Sequence, residues 1–205
     1  MHLEILSPEQ IDLFRLLAES RKRSFYMVGG TAIALHLGHR KSIDFDLFRR
    51  KNFKGNTAQT ILDASKTRWQ ILHIHEEGQY TGVIHDVKVT FFYYPFDIDA
   101  VEDIEQVIKI PSLLTLAAMK AYAMGRRAKW KDYVDLYFII RDHYTIREIS
   151  AHAQAIFPTF QSAQFIEQLA YHEDISYTEG VEYLIPNPPT DAEIREFLRV
   201  ESLKD

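Results

Sequence analysis

At 205 residues, with a net charge of −5 at pH 7 and no cysteine, the chain is long enough to bury about 70% of its unfolded surface in one sizeable core. The missing cysteines exclude disulfides, thiolate zinc sites and cysteine nucleophiles, and the net charge excludes a molecule that binds nucleic acid by overall charge alone. The longest nearly uncharged apolar run, Ile110 to Ala118, is far short of the roughly 20 residues that span a bilayer, and Met1 to Leu6 lacks a basic region leading into an apolar core, so a cytoplasmic protein with no membrane partner is expected.

Ser7-Pro8-Glu9-Gln10 reads as a helix start, with Ser7 as N-cap, Pro8 in the first turn and Gln10 closing a capping box. That helix is expected to run to about Arg21 and to bury Ile11, Leu13, Phe14 and Leu17. The apolar strand Phe25 to Val28 then meets Gly29-Gly30, and a one-sided apolar helix follows to Leu37, stopping at the C-cap glycine Gly38. In the next strand Ile43, Phe45 and Leu47 alternate with Asp44 and Asp46, so the pleat sends apolar side chains to one face and two carboxylates to the other. A basic connection from Arg49 to Lys54 leads to a helix from Asn56 to about Thr67, with Ile61 and Leu62 inward.

Strands are expected at Trp69 to Ile74, Tyr80 to Ile84 and Val87 to Tyr94, the last two joined by a turn at His85-Asp86. Asp97 to Gln106 reads as acidic and irregular. Beyond Pro111 the pattern is helical, near 112–125, 131–142, 146–157, 161–170 and 191–203, with capping boxes at Thr145-Glu148 and Thr190-Glu193. The stiff stretch Pro186 to Pro189 precedes a last helix that is either a docked arm or a partner contact. The sum is an α+β (α/β) fold: a core over 1–110 with a mixed sheet of about five strands, and a helical region over 111–205 packed on it and contributing site residues.

Two carboxylates two residues apart on one strand face lie roughly 6–7 Å apart at Cα, close enough to converge on a hard cation such as Mg²⁺. Gly29 and Gly30, opening a helix, offer backbone N–H groups and a positive helix end to a phosphate. Either feature alone is weak. Asp97-Ile-Asp99 is a second Asp-x-Asp in the same chain, and Gly-Gly is often only a tight turn. Their succession, strand, Gly-Gly-Thr, helix, Asp-x-Asp strand, is more specific, and it joins a phosphate grip to a metal grip as transfer of a nucleotidyl or phosphoryl group requires.

Lys120 is the single charge in Leu113 to Met124, beside Leu116, Ala117, Ala123 and Met124, and must snorkel out or find a counter-charge. Asp135 stands in the apolar run Tyr133 to Ile140 and wants a cation or a structural partner. Asp132, next to Lys131, is a candidate helix cap. Arg40, Lys41, Arg49, Arg50, Lys51 and Lys54 bracket the first Asp-x-Asp, and Arg126, Arg127, Lys129 and Lys131 form a second basic cluster. The nine histidines, including His36, His39, His73 and His75, show no metal-ligand spacing and read as surface or satisfied side chains.

Gly29-Gly30-Thr31 followed by His39-Arg40-Lys41-Ser42-Ile43-Asp44-Phe45-Asp46-Leu47-Phe48 resembles the signature of the AbiEii/AbiGii-type nucleotidyltransferases, a branch of the DNA polymerase β-like superfamily with many bacterial toxins paired with an antitoxin. The resemblance continues through Leu116 to Lys120 and Lys131 to Phe138. It implies a polymerase β-like core in which Asp44 and Asp46 bind Mg²⁺ (or Mn²⁺). Gly29, Gly30, Thr31, Arg40 and Ser42 would then meet the phosphates of an NTP, Lys120 would neutralise charge, and Asp135, with Asp132 second, would act on the acceptor. That acceptor is a tRNA end or a protein hydroxyl, and the biology is a toxin–antitoxin or phage-defence system with a cognate antitoxin as partner. The chain departs from the pattern on the later core strand, where Val87-Lys88-Val89-Thr90-Phe91-Phe92 has no third acidic residue. A catalytically silent nucleotide-binding or interaction module on the same fold is therefore the alternative.

Overall fold

The computed structural model describes residues 1–66, 68–75, 78–124 and 128–204, and for 71–75 the backbone alone. Two compact units divide the chain: Met1–His36 with Ser42–Ser112, and Leu37–Lys41 with Leu113–Asp205.

After a 3₁₀ turn at Leu3–Ile5, the first unit has α1 (Pro8–Asp12), capped by the Ser7–Gln10 box, and α2 (Phe14–Lys22). The single helix expected here is two, because Leu13, at φ −85° and ψ 3°, steps out of helical geometry. Leu13 is thereby buried, while Ile11, expected inside, is 51% exposed. Gln10 is buried and its side-chain amide donates to the carbonyls of Ser42 at 3.0 Å and Ile43 at 2.8 Å. Then come β1 (Tyr26–Val28), α3 (Gly29–Leu37) and β2 (Phe45–Arg49), with Gly38 at φ 65° ending α3. After α4 (Gly55–Asp63) follow β3 (Gln70–His75), β4 (Gln79–Ile84) and β5 (Val87–Tyr93). The helix reaching Thr67 is shorter than expected, and Thr67 itself lies outside the described residues.

The sheet has the order β1-β2-β5-β4-β3, with β2 and β5 parallel and the other pairs antiparallel. One face carries Phe45, Leu47, Val89 and Phe91, all fully buried. Pairing of β2 begins at Phe45 with Val89, so Ile43 and Asp44 precede the strand rather than belong to it. Without a ladder partner Ile43 does not reach the core and is 56% exposed, a correction to the expected alternation. The turn at His85-Asp86 has both residues at positive φ, 48° and 63°, the twist-matched geometry of a two-residue hairpin.

A second correction is the hairpin of β6 (Glu102–Ile104), inside the stretch Asp97 to Gln106 read as irregular, and β7 (Ile108–Ile110), just beyond it. Ile104, Ile108 and Ile110 are buried, and the turn uses Glu105 and Gln106 at φ 49° and 58°. Nothing in Glu-Gln announces such a turn, which sequences normally mark with Asn-Gly.

The second unit holds α5 (Leu113–Met124), α6 (Trp130–Asp142), α7 (Ile146–Ile156), α8 (Ser162–Ala170) and α9 (Asp191–Ser202). Both expected capping boxes, Thr145 with Glu148 and Thr190 with Glu193, are formed. The end of the first helix at Gly125 falls outside the described residues. The last helix is docked within this unit: Ile194 and Leu198 are fully buried and Phe197 meets the Tyr137 ring edge-on at 5.0 Å. Ahead of it, Ser176 exchanges backbone hydrogen bonds with Ala128 and Trp130, and Glu182 and Leu184 with Lys41 and His39.

Candidate functional site

In the first unit, β2 places Asp46 opposite Val28 on one side and Thr90 on the other. The carboxylate rests against Gly29, whose φ is 76°; a Cβ built on that glycine would stand 2.3 Å from Asp46 Oδ2. Only glycine gives both the left-handed turn into α3 and the room for this carboxylate. Thr31, buried in the first turn of α3, donates its hydroxyl to the Asp44 carbonyl and lies 2.9 Å from the Ser42 hydroxyl. Together with Gln10, these bonds fix the backbone that delivers Asp44. The Asp44 carboxylate is half exposed and bonded to Lys88 Nζ at 2.7 Å. On β5, Lys88 and Thr90 alternate with buried Val87, Val89 and Phe91, which puts a lysine and a threonine where the third acid was sought. Thr90 and Thr81 hydroxyls lie 3.5 Å apart.

The second unit contains a buried ionic network. Arg40 donates from Nε to Asp135 Oδ1 at 2.7 Å and from Nη2 to Oδ2 at 2.8 Å. Lys120 Nζ reaches Asp132 Oδ1 at 2.5 Å and Asp135 Oδ2 at 2.7 Å. His39 Nε2 lies 2.8 Å from Asp135 Oδ1. A carboxylate only accepts, so neutral His39 carries its proton on Nε2, leaving Nδ1 buried without a hydrogen-bond partner. Two carboxylates face two permanent cations, so the charges balance, as burial demands.

Burial pushes the Asp135 carboxyl up, but Arg40 and Lys120 with the bonds from His39 and Arg40 overcome it and hold its pKa well below the usual carboxylate range. For Lys120, burial pulls the pKa down, and Asp132 and Asp135 more than reverse it. For His39, burial lowers the pKa and outweighs the opposing pull of Asp135. Lys120 and Asp135 thus find their counter-charges in each other, in Arg40 and in Asp132. Asp132 sits in the first turn of α6, whose N-cap residue is Lys129.

The structure thus gathers Gly29, Gly30, Thr31, Ser42, Asp44 and Asp46 in the first unit and Arg40, Lys120, Asp132 and Asp135 in the second. Sequence reasoning missed His39 as a partner of Asp135, although its place beside Arg40 in the motif was a signal. It missed the Lys88–Asp44 contact too, which only the parallel register reveals. Of the basic residues, Arg49 packs over Phe25 and Phe53 and donates to the Arg23, Lys51 and Asn52 carbonyls. Arg50 pairs with Asp97 of the second Asp-x-Asp. Lys129 and Lys131 share Glu179, and Lys41 holds Glu182. Arg126 and Arg127, and the His73 and His75 side chains, lie outside the described residues. His36 Nε2 lies 3.0 Å from the Pro111 carbonyl. Among the described residues no group of three or more His, Asp or Glu is arranged to hold a metal, and no helix is long and apolar enough to cross a membrane.

A mixed sheet of this order, with a glycine turn packed on an aspartate of the neighbouring strand, is the nucleotidyltransferase fold, and the solved structures agree. MenT4, the nucleotidyltransferase toxin Rv2826c of Mycobacterium tuberculosis H37Rv, superposes with a TM-score of 0.61 at 13% identity over 97% of this chain and 86% of its own. JHP933 from Helicobacter pylori does so at 0.57 and 18% identity over 97% and 92%. The family model "Nucleotidyl transferase AbiEii toxin, Type IV TA system" matches residues 11–204. The chain therefore belongs to the AbiEii nucleotidyltransferase toxin family. The uncharacterized protein aq_aa25 of Aquifex aeolicus (strain VF5) is 28% identical over 156 residues, 73% of this chain and 74% of its own.

Proposed function

We propose that this toxin-family nucleotidyltransferase moves a nucleotidyl group from an NTP to an RNA acceptor, a tRNA end before a protein hydroxyl, and is restrained by a cognate antitoxin. The observation that carries this is Asp46 seated on Gly29 at the start of α3, a carboxylate beside a helix N-terminus. Mg²⁺ or Mn²⁺ fits the residues present: Asp44 and Asp46 offer hard oxygen donors, and the absent Cβ of Gly29 leaves Asp46 its place. When bound, such a cation would neutralise triphosphate charge.

The remaining work falls to the chain itself. Gly29 and Gly30 present N–H groups and the positive end of α3 to a phosphate. Thr31 and Ser42 set the backbone of Asp44. Lys120, Asp132 and Asp135 act as positioning residues in this proposal: within the second unit their network pins His39 and Arg40.

The test is incubation with each labelled NTP, Mg²⁺ and total cellular RNA, beside Asp46→Asn. Label should enter RNA and fall on the order of a thousandfold in the variant, since a cation ligand is worth several kcal/mol of transition-state stabilisation. Label in protein instead names the other acceptor. Nucleotide binding without any transfer would favour the silent module, the reading that Lys88 on Asp44 and Thr90 beside Asp46 support.

A further inference from the structure

The face of the sheet beside Asp44 and Asp46 has an unusual charge inventory. Asp46 is in register with Thr90 and Phe45 with Val89, so on the parallel neighbour Lys88 lies level with Asp44. Strands in such a pair are about 4.8 Å apart, and the Lys88 ammonium spans the gap to Asp44 Oδ2 at 2.7 Å. Among the described side chains, the other polar groups on these two rows, Thr90, Thr81 and Gln70, are neutral, and His73, in register with Thr81, has its side chain outside them.

We propose that Lys88 takes the place of a second divalent cation beside Asp44, so that the site holds one ion where a three-carboxylate site holds two. The proposal rests on Asp44 and Asp46 being cation ligands. Three carboxylates with two divalent cations leave a single positive charge to meet the triphosphate. Two carboxylates and one ammonium carry a single negative charge, and one divalent cation brings them to the same single positive charge. Coordination points the same way. Hard divalent cations are held by charged or carbonyl oxygens, and the two carboxylates suffice for one ion but leave a second, among the described side chains, with neutral groups alone. A lysine is also a compact point charge, suited to sitting against a carboxylate or a phosphate oxygen without fixed geometry. Lys88 is thus a positioning residue for charge, and it needs no exchange with solvent cations.

The experiment counts Mn²⁺ per bound α,β-methylene NTP by equilibrium dialysis and records the electron spin resonance of the bound ions, with circular dichroism as the check on folding. Wild type should bind one ion with an uncoupled spectrum. Lys88→Asp and Lys88→Glu, which restore a third carboxylate level with Asp44, should bind two, spin-coupled as expected for ions about 3.5–4 Å apart. Two ions in wild type, or one in both folded acidic variants, overturns the role of Lys88 and leaves Asp44 and Asp46 as ligands. Mn²⁺ bound alike by wild type and Asp46→Asn overturns the ligand assignment and the proposal with it.

Discussion

Arg40 grips Asp135 through two parallel hydrogen bonds, and neither side chain is more than 2% exposed. Removing one partner of such a pair leaves a buried charge uncompensated, which costs about 3–5 kcal/mol. Asp135→Asn would strand Arg40 and leave Lys120 with Asp132 alone, so its unfolding free energy, read from urea titration, should drop by about that amount. If Asp135→Asn is as stable as wild type but transfers no nucleotide, Asp135 serves the chemistry directly rather than through the network.

The same network sets a pH dependence of stability. His39 has its pKa lowered by burial, so the unfolded chain takes up this proton more readily. Stability from His39 is whole above the unfolded value of about 6.5 and is lost as pH falls beneath it. Asp135 is depressed, so its contribution is present above about 3.9 and is lost as pH falls from there toward its folded value. Acid should therefore destabilise in two stages. His152 and His172, also lowered by burial, add to the first. His39→Gln should flatten part of the decline below about pH 6.5 and leave the later stage intact. A wild-type midpoint unchanged between about pH 7 and pH 5 would contradict the assignment.

Gly29→Ala tests the seat of Asp46. A non-glycine residue in the left-handed region costs about 1–2 kcal/mol, which for a chain of this length is a fall of about 2–8 °C in Tm. The new methyl would also stand 2.3 Å from Asp46 Oδ2 and push the carboxylate aside. The expected result is a folded protein, slightly less stable, that has lost Mn²⁺ binding. Gly180→Ala, whose Cβ meets nothing within 4 Å, is the control and should change neither quantity.

The elements legible in the sequence are those whose signal is local. The three capping boxes, the glycine that ends α3 and the His85-Asp86 turn before β5 each depend on a few neighbouring residues, and each appears where expected. Ile43 and the β6–β7 hairpin were misread because their state depends on a partner elsewhere: Ile43 lacks one, and the hairpin gains buried isoleucines without a recognisable turn pair. The need of Lys120 and Asp135 for counter-charge was legible from their apolar surroundings. That they would answer each other was not, because the pairing runs between two helices and the distant segment at His39-Arg40.

Salt dependence separates the two acceptor classes. Lys129 and Lys131 are held by Glu179, at 2.6 Å and 3.5 Å, on partly exposed side chains. Such pairs are worth about 0–1 kcal/mol, so a nucleic-acid phosphate can take the place of the glutamate at small cost. The segment carrying Glu179 stays tethered by the backbone bonds of Ser176, so the exchange needs no rearrangement of the chain. With single-stranded RNA, each phosphate contact contributes about 0.7 to the slope of log affinity against log salt. Lys129→Gln with Lys131→Gln should therefore lower that slope by about 1.4, whereas Glu179→Gln should tighten RNA binding by freeing both lysines. A protein acceptor predicts a shallow salt dependence that neither change alters, because its hydroxyl brings no row of phosphates to these lysines. Anisotropy of a labelled RNA, titrated at several salt concentrations with the Asp46→Asn protein, reads binding apart from transfer and decides between them.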